Sequence, residues 1–217
     1  MAMALQPSLA AFLERRLRPA PDYPCNEVVS LYYDTPHWDS LAAKLNSDYL
    51  KLKFRLRYYR SPGNGATSPV YAEVKTKIGS RRGKVRIQLD LTASELEGTP
   101  LEDPALLELP RLAAGRLGVV LPARLAPTFT VEYQRLRFVE PATRTQVCVD
   151  HRIRAGRVHR QRLSHARPGA LPHAVLEQKG EEPSLIAALE PIIGLGLRRE
   201  SYSKYARIYT HLTGHAA

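Results

Sequence analysis

Four cations alternate with apolar residues in the segment "YLKLKFRLRYYR", which covers residues 49 to 60. Lys51, Lys53, Arg55 and Arg57 share one parity, while leucine, phenylalanine and tyrosine occupy the other. In a β-strand, alternate side chains point to opposite faces. The segment therefore predicts a strand with one apolar face and one cationic face. The cationic face is either solvated or lines a site for an anion.

Two further segments repeat this alternation after a turn-rich loop at residues 60 to 69. In "VYAEVKTK", residues 70 to 77, the polar parity contains Tyr71, Glu73, Lys75 and Lys77. In "KVRIQLDL", residues 84 to 91, it contains Lys84, Arg86, Gln88 and Asp90. Short connections between such strands predict an antiparallel sheet. For any one strand a solvated polar face is the simplest interpretation, but directly opposed like charges destabilise a sheet. A bound polyanion would compensate that repulsion.

The second half of the chain again shows the alternating strand pattern and contributes more charged residues to the polar faces. Further polar faces carry Tyr133, Arg135 and Arg137 in residues 128 to 140, Asp150 in residues 144 to 151, and Glu177 and Lys179 in residues 173 to 180. Single acids among cations are what a divalent cation that bridges phosphates requires. If the sheet closes with its polar face inward, it forms a basic barrel or tunnel.

Helical patterns surround these strands. We expect helices over residues 6 to 17, 36 to 47, 102 to 118 with a break or restart at Pro110, 183 to 196 and 201 to 212, and a capping box from Thr92 to Glu95. No repeat or linker separates two halves of the chain. The sequence therefore predicts one α+β domain over residues 1 to 217, an antiparallel β-barrel or tunnel with a polar basic lumen, flanked by helices.

Composition favours a polyanionic partner. The chain has a net charge of +11 and a pI near 9.9, which suits nucleic acid, an acidic membrane surface or phosphate compounds. No apolar run approaches the roughly 20 residues that span a bilayer, and the start lacks a signal-peptide layout. Two cysteines suit a reducing compartment. The seven histidines are scattered, without zinc-ligand spacing. We expect a cytoplasmic protein.

Seven motifs in order resemble a known family. "SLYYDTP", "KFRLRYY", "YAEVKTK", "VEYQR", "VCVDHRI", "VLEQKG" and "SYSKYARIY", from about residue 28 to 209, resemble the VTC-type polyphosphate polymerase domain. That family belongs to the triphosphate tunnel metalloenzymes, close to the CYTH proteins. The resemblance implies an antiparallel tunnel lined by arginine and lysine, in which glutamate holds Mn²⁺ or Mg²⁺.

The motifs also imply roles for individual residues. Phosphate contacts are expected from Lys53, Arg55, Arg57, Lys75, Lys84, Arg86, Tyr133, Arg135, Ser203 and Lys204. Of these, the resemblance assigns a part in catalysis to Arg55, Arg57, Lys75, Arg135 and Lys204. Glu177 is expected to hold the metal, with Glu73 as an additional candidate ligand.

Two positions depart from the family pattern. The family begins with a strand that carries an E-R-K or E-x-E-x-K motif, but here the letters "LERRL", residues 13 to 17, lie in a predicted helix. Either this strand is absent or other residues take over its role. The family also has an arginine four residues before the aspartate of "VCVD", where this chain has Gln146. Arg144, at a neighbouring position of the same parity, is a candidate replacement.

The resemblance implies a metal-dependent enzyme acting on phosphoanhydrides. It would transfer the γ-phosphoryl group of a nucleoside triphosphate to polyphosphate; with water as acceptor, the same site would be a triphosphatase. A non-catalytic module that binds polyphosphate or triphosphate is a second class of function. Nucleic-acid binding through the basic loop at residues 157 to 167 is a third, although we expect no nucleic-acid partner. A membrane-associated partner remains open, without a membrane span in this chain.

Overall fold

The computed structural model of the chain describes residues 5–60, 68–167, 169–180, 184–195 and 197–214, so most of the predicted loop at 60 to 69 lies outside the described residues. The helices are α1 (Leu5–Arg16), α2 (Asp39–Leu45), α3 (Ala93–Gly98), α4 (Pro104–Leu117), a 3₁₀ helix (Ala187–Leu195) and α5 (Lys204–Thr213). The strands are β1 (Arg18–Pro19), β2 (Cys25–Asp34), β3 (Leu50–Arg60), β4 (Pro69–Ile78), β5 (Arg81–Thr92), β6 (Ala126–Val139), β7 (Gln146–Val158) and β8 (Val175–Lys179).

The strands form one antiparallel sheet in the order β5-β4-β3-β2-β6-β7-β8, with the short β1 paired to β6. Strands β4 and β8 are five strand steps apart in this order, which would separate them by about 24 Å in a flat sheet. The pKa of Lys75 in β4, lowered chiefly by desolvation, is nevertheless partly held up by the Glu177 carboxylate in β8. The sheet therefore curls into a half-barrel and brings its two ends towards each other.

The convex face of the half-barrel carries two apolar clusters. One joins β2, β3 and β4 to α3 and α4 through residues such as Leu31, Phe54 and Leu106. The other joins β6 and β7 to α1 and the 3₁₀ helix, for example through Leu13 and Val149. These are the apolar parities of the alternating strands, so the opposite, polar parities face the concave side.

Helix α5 covers part of the concave face. Its buried side chains Tyr205, Ile208 and Leu212 pack with Tyr32 and Phe129 of the sheet, and the Tyr205 ring stacks on Tyr32 at 4.7 Å between centroids. The N-terminus of the helix therefore points along the concave face, towards the cationic strands. The predicted α+β tunnel-type fold is confirmed, in the form of a curled antiparallel sheet flanked by helices.

Some elements differ in detail from the sequence prediction. The "LERRL" letters lie at the end of α1 and the residue after it, as predicted. Helix α4 continues through Pro110, where a break or restart was predicted. Proline cannot donate to the carbonyl four residues earlier, and that carbonyl, of Leu106, instead accepts a hydrogen bond from the Tyr33 hydroxyl at 3.1 Å. A partner from another element thus satisfies the group that Pro110 leaves free.

The region after β6 also shows two differences. The segments at 144 to 151 and 152 to 158 form a single strand, β7, with an irregular register opposite Glu132 and Gln134. Arg152 adopts a left-handed backbone with φ of 52° within this bulge. The apolar stretch predicted as a helix over 183 to 196 is a 3₁₀ helix at Ala187–Leu195.

Candidate functional site

A buried carboxylate organises three cations at the centre of the concave face. Glu73 in β4 lies between Arg55 of β3 and Arg86 of β5 in the strand register. Its Oε2 accepts hydrogen bonds from Nε and Nη2 of Arg55 at 2.9 and 2.6 Å. Lys84 Nζ lies 2.8 Å from the other oxygen, and Arg57 Nη1 lies 3.6 Å from Oε2. The carboxylate is 0% exposed, so protein cations surround it.

Strand β2 orients both arginines from the side. The Tyr32 hydroxyl accepts a hydrogen bond from Arg55 Nη1 at 3.0 Å, and the Ser30 hydroxyl accepts one from Arg57 Nε at 3.0 Å. The sequence analysis missed Tyr32 and Ser30. The signal for them was their shared parity in "SLYYD", which places both on the face that the arginines of the neighbouring strand share.

A second ionic cluster lies across the concave face. Asp150 in β7 is buried and accepts two hydrogen bonds from Arg135 in β6, at 2.6 and 2.7 Å. Lys204, the first residue of α5, lies 2.6 Å from the same carboxylate. Both cations also lie over the ring of Tyr133, at 5.3 and 4.9 Å from its centroid. Asp150 therefore fixes the directions of two cations from different elements.

The start of α5 ties this cluster to the strands. Ser203 caps the helix by accepting from the Ala206 amide, and its hydroxyl also accepts a hydrogen bond from Lys53 Nζ at 3.2 Å. The structure therefore brings nine of the expected phosphate-contacting residues onto one face: Lys53, Arg55, Arg57, Lys75, Lys84, Tyr133, Arg135, Ser203 and Lys204. Arg86 has the same parity, but its exposed side chain lies over the Tyr71 ring.

The positive charge of this face shifts the pKa values of its ionisable side chains. Burial would raise the pKa of Tyr32, but Arg55, Arg57 and Lys53 lower it to about 8. Desolvation, with Arg55 and Arg57, lowers the pKa of Lys75 to about 8. Against a burial effect of opposite sign, Arg57 and Arg55 hold the pKa of Glu73 at about 2. Glu73 is therefore ionised at neutral pH, and the face still carries excess positive charge.

Replacing Glu73 with glutamine separates its two candidate roles. If the carboxylate serves to neutralise Arg55, Arg57 and Lys84, the Glu73→Gln variant should bind triphosphate more tightly without metal, because phosphate no longer competes with a buried protein anion for these cations. The metal dependence of binding should persist. Titration calorimetry with and without Mn²⁺ measures both quantities, and a loss of the metal effect would instead make Glu73 a ligand.

Glu177 is less tightly engaged by cations than Glu73 and Asp150. Its side chain is 45% exposed, and its contacts to Arg135 and Lys179 are long, at 3.5 and 3.9 Å. Glu73 and Asp150 are each engaged by cations at 2.6 Å. Within the described ranges, no three His, Cys, Asp or Glu residues form a group that could hold a metal ion. These residues thus fit a metal shared between one carboxylate and substrate phosphates, as Mg²⁺ commonly is.

Gln146, at the position where the family has arginine, and the candidate replacement Arg144 are both exposed. Gln146 begins β7 opposite Lys179 and is exposed. Arg144 lies in the preceding turn with φ of 60°, and its side chain is exposed. Neither position supplies a buried guanidinium comparable with Arg135.

Two arginines of the basic loop at residues 157 to 167 donate hydrogen bonds to backbone carbonyls and so stabilise the fold. Arg157 donates to the carbonyls of Leu96 and Thr99. Arg162 donates to the carbonyls of Asp34, Thr35 and Ala126 and lies over the Trp38 ring. These two guanidinium groups already bind protein carbonyls, whereas Arg160 and Arg167 of the same loop are exposed.

A curled antiparallel sheet with a cationic concave face defines a tunnel-type α+β protein. The chain belongs to the VTC domain family, whose model matches residues 22–213. The resemblance carried by the seven motifs is thus confirmed. This family is associated with polyphosphate polymerases and polyphosphate metabolism, and tunnel-type domains are typically dependent on divalent metal. No curated protein sequence matches the chain. Among the described helices, none combines the length and apolar character needed to cross a bilayer.

Proposed function

We propose that the concave face binds the phosphate chain of a nucleoside triphosphate and of polyphosphate, and that the domain is a polyphosphate polymerase. In this reaction a terminal oxygen of polyphosphate attacks the γ-phosphorus. The bond between that phosphorus and the β–γ bridging oxygen breaks, and a nucleoside diphosphate leaves. Phosphoryl transfer requires positioning and charge stabilisation more than covalent participation by the protein. The site is rich in groups that provide both.

The observation that carries this proposal is the uncompensated charge around Lys75. The carboxylates of Glu73 and Asp150 on this face are fully engaged by cations. Lys75 has no acidic partner within 4.0 Å among the described residues, and the adjacent arginines contribute to lowering its pKa to about 8. An anion of several charges would reverse that repulsion, and a phosphate chain supplies such charges at regular spacing.

The named side chains divide the work. Arg55, Arg57 and Arg135 present fixed guanidinium groups, which bind phosphate oxygens in a bidentate manner. Lys75 and Lys204 add positive charge. This charge stabilises the negative charge that develops on the phosphate oxygens as the bond to the leaving group breaks. Tyr32, Ser30 and Asp150 hold the arginines and Lys204 in place.

Glu177 would hold a divalent cation together with substrate phosphates. When bound, Mn²⁺ or Mg²⁺ supplies charge neutralisation of the phosphoryl oxygens. The half-exposed position of Glu177 suits this role, because its carboxylate has no contact shorter than 3.5 Å with a cation in the part of the chain described.

A triphosphatase is the alternative that the open half-barrel favours. Strands β5 and β8 end the sheet and do not pair with each other in the described residues. The open side gives water a route to the γ-phosphorus, and water would then replace polyphosphate as acceptor. A non-catalytic binding module would use the same cations without turnover.

Incubation with ATP and Mn²⁺ tests the proposal, with polyphosphate, free phosphate and ADP all measured. The proposed polymerase forms polyphosphate and ADP in step, whereas a triphosphatase releases phosphate and a binding module releases neither. The Glu177→Gln variant should lose most turnover but keep metal-free triphosphate binding. Unchanged turnover in this variant would remove Glu177 from the metal site.

Triphosphate affinity is expected to fall as pH rises through about 8. Above that pH Lys75 is neutral and Tyr32 is anionic, because both pKa values lie near 8 in the free protein. A bound polyanion favours the protonated form of each, so binding at pH 8 should take up protons. Calorimetry in buffers of different ionisation enthalpy measures that uptake.

The Lys75→Arg variant separates the two groups in the pH experiment. Arginine stays protonated in this range, so the variant should keep only the part of the pH dependence that Tyr32 causes. The Tyr32→Phe variant should remove the other part. A pH profile that is unchanged in both variants would contradict the assignment.

A further inference from the structure

Three strands carry cations in matching positions beyond the central site. In the register of β3, β4 and β5, Lys53, Lys75 and Lys84 lie side by side. One step further out on the same face, Lys51, Lys77 and Arg82 lie side by side next to the turn between β4 and β5. We call this outer set of three residues the mouth row.

The mouth row has no acid to balance it. Within the described residues, none of Lys51, Lys77 and Arg82 has an acidic partner within 4.0 Å, although both lysines are only partly exposed. Lys44 of α2 adds to this charge: its pKa is lowered by desolvation and then by Lys51 and Lys77. Opposed like charges on paired strands destabilise a sheet. Such a row is therefore costly to the free protein unless an anion binds there.

The row continues the line of the proposed phosphate site. From Arg57 to Lys51, six residues of β3 span about 20 Å along the strand. Same-face cations recur along this line at Arg55, Lys53 and Lys51. A triphosphate is much too short to reach from the central arginines to the mouth row. A linear polyphosphate has charge on every unit and can contact the whole line.

We propose that the mouth row is a binding subsite for the distal units of a linear polyphosphate chain, and that it makes the domain prefer long chains to triphosphate. This inference rests on the proposed function, because it extends the same phosphate path. The polyphosphate chain would leave the concave face at the end of β3, β4 and β5 where the turn between β4 and β5 lies. Lys44 borders that exit, where its ammonium donates to Ser201.

Binding of two chain lengths to a triple variant tests the inference. Lys51→Gln, Lys77→Gln and Arg82→Gln together remove the charge of the row and leave every residue of the central site in place. Affinity for a long-chain inorganic polyphosphate should fall about tenfold, as expected for three exposed ion pairs. Affinity for inorganic tripolyphosphate should stay within about twofold. The salt dependence of long-chain binding should also weaken, with a log–log slope reduced by about two to three.

A matched triple variant on other surfaces controls for net charge. Arg15→Gln, Arg111→Gln and Arg124→Gln remove three exposed arginines from α1, α4 and the loop before β6. This variant should bind both ligands as the wild type does, and thermal unfolding checks that both triple variants fold.

The outcomes separate this inference from the proposed function. Unchanged long-chain affinity in the mouth-row variant, or an equal loss for both chain lengths, would overturn the subsite while triphosphate binding by the wild type still supports the central site. An equal loss in the matched control would reduce the row to general attraction and overturn the inference too. If the wild type binds neither ligand, the proposed function fails and the subsite with it.

Discussion

The Arg55→Ala variant is expected to bind triphosphate about a hundredfold more weakly than the wild type and to lose turnover. Arg55 lies at the centre of the concave face, with one edge held by Glu73 and another by Tyr32. Charge-assisted hydrogen bonds are worth about 1.5–3 kcal/mol each, and a bidentate contact to phosphate supplies two. Titration calorimetry measures the affinity, and release of ADP measures turnover.

Arg60→Ala is the matched control for this variant. Arg60 lies in the same strand but on the opposite face, where it pairs with Glu97 at 2.7 Å and Glu27 at 3.2 Å. Removing it should leave triphosphate affinity within about twofold, because Arg60 lies away from the concave face, and should cost little stability, because its ion pairs are partly exposed. Equal losses in the two variants would mean that binding does not depend on the concave face.

The Asp150→Asn variant is expected to lose about 3–5 kcal/mol of folding stability, the usual cost of removing one partner from a buried ion pair. Asp150 is 0% exposed on its side chain and balances both Arg135 and Lys204. Burial opposes ionisation, but Arg135 and Lys204 lower the pKa of Asp150. At neutral pH the substitution therefore leaves two cations without their anion. For a chain of this size, the expected fall in Tm is about 10 °C.

Tripolyphosphate should restore much of the stability that Asp150→Asn loses. The ligand supplies negative charge to Arg135 and Lys204, so its thermal shift should be larger in the variant than in the wild type. Glu200→Gln is the control, because its pair with Arg207 is exposed and should cost less than 1 kcal/mol. A variant with wild-type stability, or with a smaller ligand shift, would contradict the role of Asp150.

The faces of β3, β4 and β5 were predictable because their alternation is strict. The central residues of each strand alternate with a period of two, and the structure places the apolar parity in a core with α3 and α4. The cationic residues of these strands therefore lie on the opposite, concave face of the sheet. For these central residues, side-chain spacing alone determines which side chains share the concave face, while the strand register determines which of them are neighbours.

The contacts of Asp150 were not predictable in the same way. Sequence analysis could place it among the scattered acids, but its two partners come from different elements, Arg135 from the neighbouring strand β6 and Lys204 from the distant helix α5. A bulge at Arg152 also breaks the period of β7. Similarly, the continuity of α4 through Pro110 depends on the Tyr33 hydroxyl, a contact between elements that no local pattern encodes.

The sequence letters that resemble the family's first-strand motif do not form a strand in this structure. These letters lie in and directly after α1, and the sheet has edges at β5 and β8 in the residues described. Motif order was sufficient to identify the family, but it did not reveal the short strand β1, which follows α1 and pairs with β6.

A crystal structure of the protein with bound tripolyphosphate would show whether the concave face is the phosphate-binding site. We expect phosphate oxygens within hydrogen-bond distance of the guanidinium groups of Arg55, Arg57 and Arg135, with Lys75 alongside. A ligand bound instead at the basic loop of residues 157 to 167, with the concave face empty, would contradict this expectation.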